Sequence, residues 1–480
     1  MTSLSTLAGM QPPLSEPLHG LTPWETALRL ADLPHLLFLD SARPGGELGR
    51  YSFVTADPFA WLVARGRQVW LDGRLHEQTD PFAVLAELLA GCPTETRADL
   101  PPFQGGAAGL FGYDLAHHLE RLPRPRVDEF AVPDLAVGLY DWVAAFDHKR
   151  DRAWLIATGQ PESDPSHRQR RAVQRLQEIR RLLGRTPPRP RSLDGRAVEP
   201  TLAHALPGHP GVWSSFTPEG FRSAIQQGID YVHAGDCFQV NLAQRLLHRA
   251  TLSPLELYAR LRTRNPAPFA GYFEMDGQAI VSASPERFVR VRGGEVQTRP
   301  IKGTRPRGAT PAEDAAHAAE LLASPKDRAE NVMIVDLLRN DLGRVCAYGS
   351  VQVRALCALE SYQTVHHLVS EVVGRLRPDR SAVDLLRAAF PGGSVTGAPK
   401  VRAMQIIAEL EPVTRGPYCG SLGYVGFDGA MDTSILIRTV TAAGGWWQFP
   451  VGGGIVADSE PAVEYVETLH KAAGLLGAIC

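Results

Sequence analysis

At 480 residues with 44% hydrophobic side chains, the chain can bury a sizeable core, and its length allows about three domains or one large intertwined unit. A formal charge of -2 offers no footprint for nucleic acid, and the apolar runs fall short of the ~20 residues a membrane helix needs. Met1 to Met10 has no charged stretch leading into an apolar one, so the cytoplasm is the expected compartment; six cysteines without CxxC spacing argue against a disulfide framework and a thiolate metal site.

In chain order, strand-like runs fall at Phe59–Ala64, Gln68–Leu71, Leu135–Phe146 and Ala153–Ala157, with a helix at Pro81–Leu89. Between His167 and Arg185, Ala172, Leu176, Ile179 and Leu183 recur at helical spacing, so Arg168, Arg170, Arg171, Arg175, Arg180 and Arg181 are expected on a solvated face. Thr186-Pro187-Pro188-Arg189-Pro190-Arg191 opens a Pro-rich stretch without pattern. The division expected is a sheet-rich part over 1–185, intertwined with the next, a linker over 186–213, and a catalytic part over 214–480.

The second half begins with Thr217 as helix cap, Pro218 at the first turn, a stripe of Phe221, Ile225, Ile229 and Val232, and Gly235 as the stop. A meander follows through Gly271–Ala283, Arg287–Arg292 and Glu295–Ile301, reversing at Asp276-Gly277 and Gly293-Gly294. Helices are expected at Lys326–Leu338, Val401–Leu410 and Glu460–Leu476, and a strand pair at Gly420–Phe427 and Thr433–Thr441. Strands and helices mix without βαβ alternation, which predicts an α+β fold of large, mostly antiparallel sheets packed as a sandwich and flanked by helices.

Four features carry candidate chemistry. Lys302, in Pro300-Ile301-Lys302-Gly303-Thr304, is a nucleophile only if burial or neighbouring positive charge keeps its amine neutral; the commoner role of such a residue is a solvated strand-end lysine. Asp327 and Glu330 share one helix face, as do Glu464, Glu467 and Lys471; surface ion pairing is the common use of that spacing, and a site for Mg²⁺ is the other. Pro391–Lys400 and Gly452-Gly453-Gly454, the latter expected between a strand and the final helix, read as tight turns or as bare backbone that binds an anion. Arg438 sits amid Ile435, Leu436 and Ile437, where a buried guanidinium requires an anionic partner; His366-His367 in the run Thr364–Val369 is the less telling pair.

Ser284-Pro285-Glu286-Arg287-Phe288, Pro300–Thr304, Ala329–Asp341, Pro391–Lys400, Ile437-Arg438-Thr439 and Gly452–Asp458 occur here in the order found in the chorismate-utilising enzymes, and Phe216–Leu476 resembles that family. The resemblance implies Glu330 and Glu467 as Mg²⁺ ligands with Asp327 and Glu464 beside them. It implies substrate contacts at Gly303, Thr304, Tyr418, Arg438, the Gly452–Gly454 backbone and Lys471, and an active-site lining that includes His367 and Ser394. Lys302 matches the branch that aminates chorismate at C4; the C2-aminating, pyruvate-releasing branch usually carries alanine there. On that reading Lys302 adds to C2 while Glu286 protonates the departing C4 hydroxyl, and ammonia from a glutamine amidotransferase partner then displaces the lysine.

Leu37–Ser41 resembles the family's tryptophan-pocket strand, with Asp40 where the feedback-inhibited members carry glutamate. Ser41, Arg50, Tyr51, Pro268, Phe269 and Ala270 are therefore a candidate tryptophan pocket. The rival functions are C2 amination with loss of pyruvate, and a silent chorismate- or tryptophan-binding subunit that controls an amidotransferase.

Overall fold

The structure, a computed structural model, describes residues 11–42, 48–193, 197–362 and 365–479. The N-terminal Met1–Met10 segment, Thr364 and Cys480 therefore lie outside the described residues.

Among these residues the strands form two antiparallel sheets, one of thirteen strands and one of twelve. Alternation along single strands shows how the layers arise. In Gly106–Phe111, Ala108 and Leu110 point into a core shared by both sheets, while Ala107 and Phe111 point to a second core under the helices. The shared core also takes Leu37 and Phe273 from one sheet and Leu422 and Tyr424 from the other. Helices Pro81–Ala90, Pro325–Gly343 and Ala382–Ala389 cover the twelve-stranded sheet; Pro165–Leu183, Pro254–Arg264 and Pro461–Ile479 cover the thirteen-stranded one. The result is the α+β sandwich expected from the mixed order of elements.

Strands cross between the sheets where the sequence suggested unbroken runs. Leu135–Phe146 divides at Asp141 into Leu135–Tyr140, in the twelve-stranded sheet, and Trp142–Asp147, in the other. The 271–301 meander divides as well: Gln278–Ser284 lies in the thirteen-stranded sheet and Arg287–Arg292 in the twelve-stranded one, with Pro285 interrupting the ladder because it lacks an N–H. Thr433–Thr441 is likewise two strands, Met431–Ser434 and Thr439–Ala443, one in each sheet.

The arginine-rich helix, Pro165–Leu183, departs from a fully wetted face. Arg168 is buried and donates to the Thr158 and Pro93 carbonyls, while Arg171 and Arg175 pair with buried Asp141. Arg170, Arg180 and Arg181 are exposed as expected. The Pro-rich stretch packs against the core: Val198 N–H donates to the Gly444 carbonyl at 3.0 Å, and the Val198 carbonyl accepts from Trp446 Nε1 at 2.7 Å. Each sheet takes strands from both sides of it.

Candidate active site

Two strand crossings, side by side, build the seam on which the site sits. Gln278–Ser284 pairs with Thr439–Ala443 in one sheet and Arg287–Arg292 pairs with Met431–Ser434 in the other, so both chains step across together. The step is stitched by Ser284 Oγ donating to the Ile435 carbonyl at 2.5 Å, Ile435 N–H to the Glu286 carbonyl at 3.0 Å and Ala283 N–H to the Arg438 carbonyl at 3.0 Å. Glu286 lies at one crossing, after Pro285, and Arg438 at the other, after Ile435–Ile437. Arg438 adopts φ 52°, a left-handed conformation that costs a non-glycine residue roughly 1 kcal/mol or more.

Lys302 arrives on a third strand, Ile301–Pro306, paired with Val365–Arg375. The pairing slips between Lys302 and Thr304, and Gly303 occupies the bulge at φ 72°. A side chain at Gly303 would meet Leu321 Cδ1 at 2.8 Å and Asp327 Cγ at 3.0 Å, so only glycine fits there. Lys302 Nζ donates to the Ser394 carbonyl at 3.2 Å, and Ser394 Oγ donates to Glu286 Oε1 at 2.9 Å. One serine thus joins the amine to the acid.

Electrostatics set these two groups in opposite directions. Burial pushes the Glu286 carboxyl up to about 7 against the Ser394 hydrogen bond and the nearby Lys302 charge, which favour its ionised form. Burial also lowers the Lys302 amine, opposed by Glu330 and Glu286 and assisted by Lys471. The desolvation that a carboxylic acid and a neutral amine both require is therefore supplied by their burial at this seam.

Helices Pro325–Gly343 and Pro461–Ile479 bring carboxylates to the same place. Glu330 is half-buried and raised by burial, with Lys302 and Lys326 acting against the rise. Glu467 is bound to Lys471 Nζ at 2.6 Å; burial raises its carboxyl, but Lys471 outweighs this and leaves it below its ordinary range. Glu464 is buried, accepts from Ser459 Oγ at 2.7 Å and lies 3.8 Å from Lys326 Nζ. Asp327 is turned toward Arg305, at 3.3 Å, and packs on Gly303.

Gly452–Gly454 lies inside the strand Trp446–Ile455, correcting the expectation of a segment between strand and helix. One edge pairs with Asn241–Ala243, while pairing with Thr439–Ala443 ends at Gln448 and leaves the other edge without a strand partner among the described residues. A methyl at Gly453 would stand 3.3 Å from Glu464 Oε2, 3.6 Å from Lys471 Nζ and 4.0 Å from Glu467 Oε1. Bare backbone here is what lets the charged heads close over the strand. Lys471 Nζ also donates to the Gly452 carbonyl at 3.1 Å, and Arg438 donates to the Lys471 carbonyl at 2.8 Å.

Tyr418 is buried and lies near enough to Arg438 to influence its charge, while burial makes the Arg438 guanidinium less basic than usual. No carboxylate lies within ion-pair distance of Arg438 among the described residues. Thr304 Oγ1 and His367 Nδ1 share a hydrogen bond at 2.9 Å. His366 is instead held by Asp314 and Ser361.

In the Pro391–Lys400 loop, Val395 and Thr396 N–H donate to the Gly392 and Gly393 carbonyls, Gly397–Ala398 pairs with Gln239–Val240, and Lys400 is buried against Asp341 at 2.7 Å. What the loop contributes is Ser394. Sequence reasoning passed over Lys326, although its i,i+4 spacing to Glu330 was legible; the Asp341–Lys400 pair joins distant segments and had no local signature.

Among the described residues no three His, Cys, Asp or Glu side chains converge into a complete metal cage. Glu330 and Glu467, both beside Lys302, fit the different demand of Mg²⁺, which takes one or two carboxylates and fills its remaining positions with water and an anionic ligand.

A second cavity of about 730 Å³ is lined by Ser41, Arg50, Tyr51, Pro268, Phe269 and Ala270, with Phe53 and Tyr424 among its aromatic walls. Ser41 Oγ donates to the Tyr51 carbonyl at 2.6 Å and Arg50 forks onto Asp147. Asp40 is engaged by Tyr258 and Arg262 at 2.9 Å each.

A carboxylic acid, an amine, an arginine and paired glutamates on the seam of a two-sheet sandwich agree with the comparisons: the chain belongs to the chorismate binding enzyme family, which it matches over residues 36–477. Aminodeoxychorismate synthase component 1 of Klebsiella aerogenes is 43% identical over 447 residues, covering 92% of this chain and 93% of that protein. Anthranilate synthase component 1 of Thermus thermophilus is 41% identical over 458 residues, covering 95% of each. The crystal structure of anthranilate synthase component I from Streptococcus pneumoniae superposes with a TM-score of 0.76 at 32% identity, covering 89% of this chain and 92% of that one. No helix among the described residues is long and apolar enough to cross a membrane.

Proposed function

We propose that this chain aminates chorismate at C4, with ammonia delivered by a glutamine amidotransferase subunit, giving 4-amino-4-deoxychorismate for p-aminobenzoate and folate synthesis. The observation that carries the reading is the Lys302–Ser394–Glu286 connection, which holds an amine of lowered basicity beside a carboxyl raised to about 7. Lys302 Nζ bonds to C2 as both ring double bonds shift, C1=C2 to C1=C6 and C5=C6 to C4=C5, and the C4 oxygen leaves, taking the proton of Glu286 and departing as water. Ammonia then bonds to C4, both double bonds shift back to C5=C6 and C1=C2, and the C2–Nζ bond breaks to return the lysine. The surplus proton of the ammonium group goes to the Glu286 carboxylate, which restores the acid.

On this reading Arg438, Lys471, Thr304, Tyr418 and the open Gly452–Gly454 edge bind the two carboxylates and the hydroxyl of the substrate. His367 orients Thr304. Glu330 and Glu467 would hold Mg²⁺, which would supply positive charge for a substrate carboxylate and offset two charges that favour the ammonium form of Lys302. For the second cavity we propose tryptophan as occupant, its indole against Tyr51, Phe53, Phe269 and Tyr424; titration calorimetry with tryptophan tests this.

The purified chain, supplied with chorismate, Mg²⁺ and an ammonium salt, tests the main reading by mass spectrometry. Aminodeoxychorismate without pyruvate is expected. Anthranilate with equimolar pyruvate refutes C4 amination, and chorismate binding without turnover refutes catalysis altogether.

A further inference from the structure

We propose that Lys326 is the resident counter-ion of the Glu330–Glu464–Glu467 cluster, holding it closed until a divalent cation takes its place and then swinging out to solvent. The inference rests on reading Glu330 and Glu467, with Glu464 beside them, as the metal-facing group. Lys326 Nζ lies 3.8 Å from Glu464 Oε1, and its charge is also felt by Glu330 and Glu467, so it serves carboxylates from both helices.

The charges around the cluster suit an exchange. Taking Lys302 as the neutral amine and Asp327 as paired with Arg305, three carboxylates face two ammonium groups, Lys326 and Lys471, and one negative charge is left over. When Lys326 leaves, two are left over, the number a divalent cation neutralises.

The two lysines are held differently. Lys471 is fixed at both Glu467 and the Gly452 carbonyl, at 2.6 and 3.1 Å. Lys326 has the one long contact, its side chain is 53% exposed, and its flexible stem can carry the charge into water without moving the backbone. It also occupies the second position of the Pro325–Gly343 helix, where the positive end of the helix dipole disfavours a cation. Glu464, buried and hydrogen-bonded to Ser459, stays behind when Lys326 moves.

Titration calorimetry of Mg²⁺ alone into the full chain, compared with Lys326→Met and Lys326→Arg, tests the exchange, with Mn²⁺ binding followed by electron paramagnetic resonance as a second readout. Lys326→Met is expected to tighten metal affinity about tenfold at low ionic strength, and less at high salt. Lys326→Arg should stay within about twofold of the parent, since its charge is kept. Should Lys326→Met fold poorly, Lys326→Gln removes the same charge with a polar side chain. Equal or weaker affinity in the uncharged variants overturns the proposal, leaving Lys326 as a tether between helices. Absence of binding in every form overturns the metal reading and this proposal together.

Discussion

Replacing Glu286 by glutamine separates what the carboxyl does for chemistry from what it does to stability. Glutamine keeps the shape and can still accept from Ser394, but it neither gives a proton nor carries a charge. The folded-state value is raised from 4.5 to about 7, so stability linked to this group is fully present below pH 4.5 and lost as pH climbs to about 7. A rise of that size corresponds to ~3 kcal/mol at pH 8, because each unit is worth 1.36 kcal/mol. Glu286→Gln should therefore match the parent in urea denaturation at pH 4 and exceed it by up to ~3 kcal/mol at pH 8. Its C4 amination should fall by about 10²- to 10⁴-fold, the usual contribution of a positioned proton donor. In the parent, turnover should decline as pH rises past about 7, because Glu286 loses its proton. A variant that keeps full activity, or whose stability gain is the same at both pH values, refutes the assignment of a desolvated acid.

Lys302→Ala should abolish C4 amination while leaving the circular dichroism spectrum unchanged, since a half-buried strand position tolerates truncation; retained turnover removes the covalent step. Gly453→Ala introduces a methyl 3.3 Å from Glu464 Oε2 and should weaken Mg²⁺ binding, measured by calorimetry, more than it lowers Tm. Asp341→Asn leaves buried Lys400 without its counter-charge and should cost about 3 kcal/mol in denaturant titration, whereas the double variant Asp341→Asn, Lys400→Met should recover part of it.

Helix positions were largely legible because their signals are local. Thr217 caps Pro218–His233 by accepting from Gly220 N–H, and the stripe beginning at Phe221 faces the core as its spacing requires. The strand crossings were not legible, because a run such as Leu135–Phe146 keeps its strand character on both sides of the step; which sheet each half joins is decided by distant partners. The same limit applied at the site. Glu330, Glu467 and Lys302 could be named from motif and spacing, but the burial that shifts Glu286 and Lys302, and the Ser394 bridge between them some ninety residues downstream of the lysine, depend on distant segments coming together.

The twin crossing at Glu286 and Arg438 has a bearing on how specificity can diverge. Acid and guanidinium hang from neighbouring strands sewn to each other, so neither can shift without dragging its companion, and their spacing is inherited as one unit. Lys302 is supplied by an independent ladder with its own kink. A change of nucleophile at that single position can redirect the reaction while the apparatus that grips and protonates the substrate is left as it was.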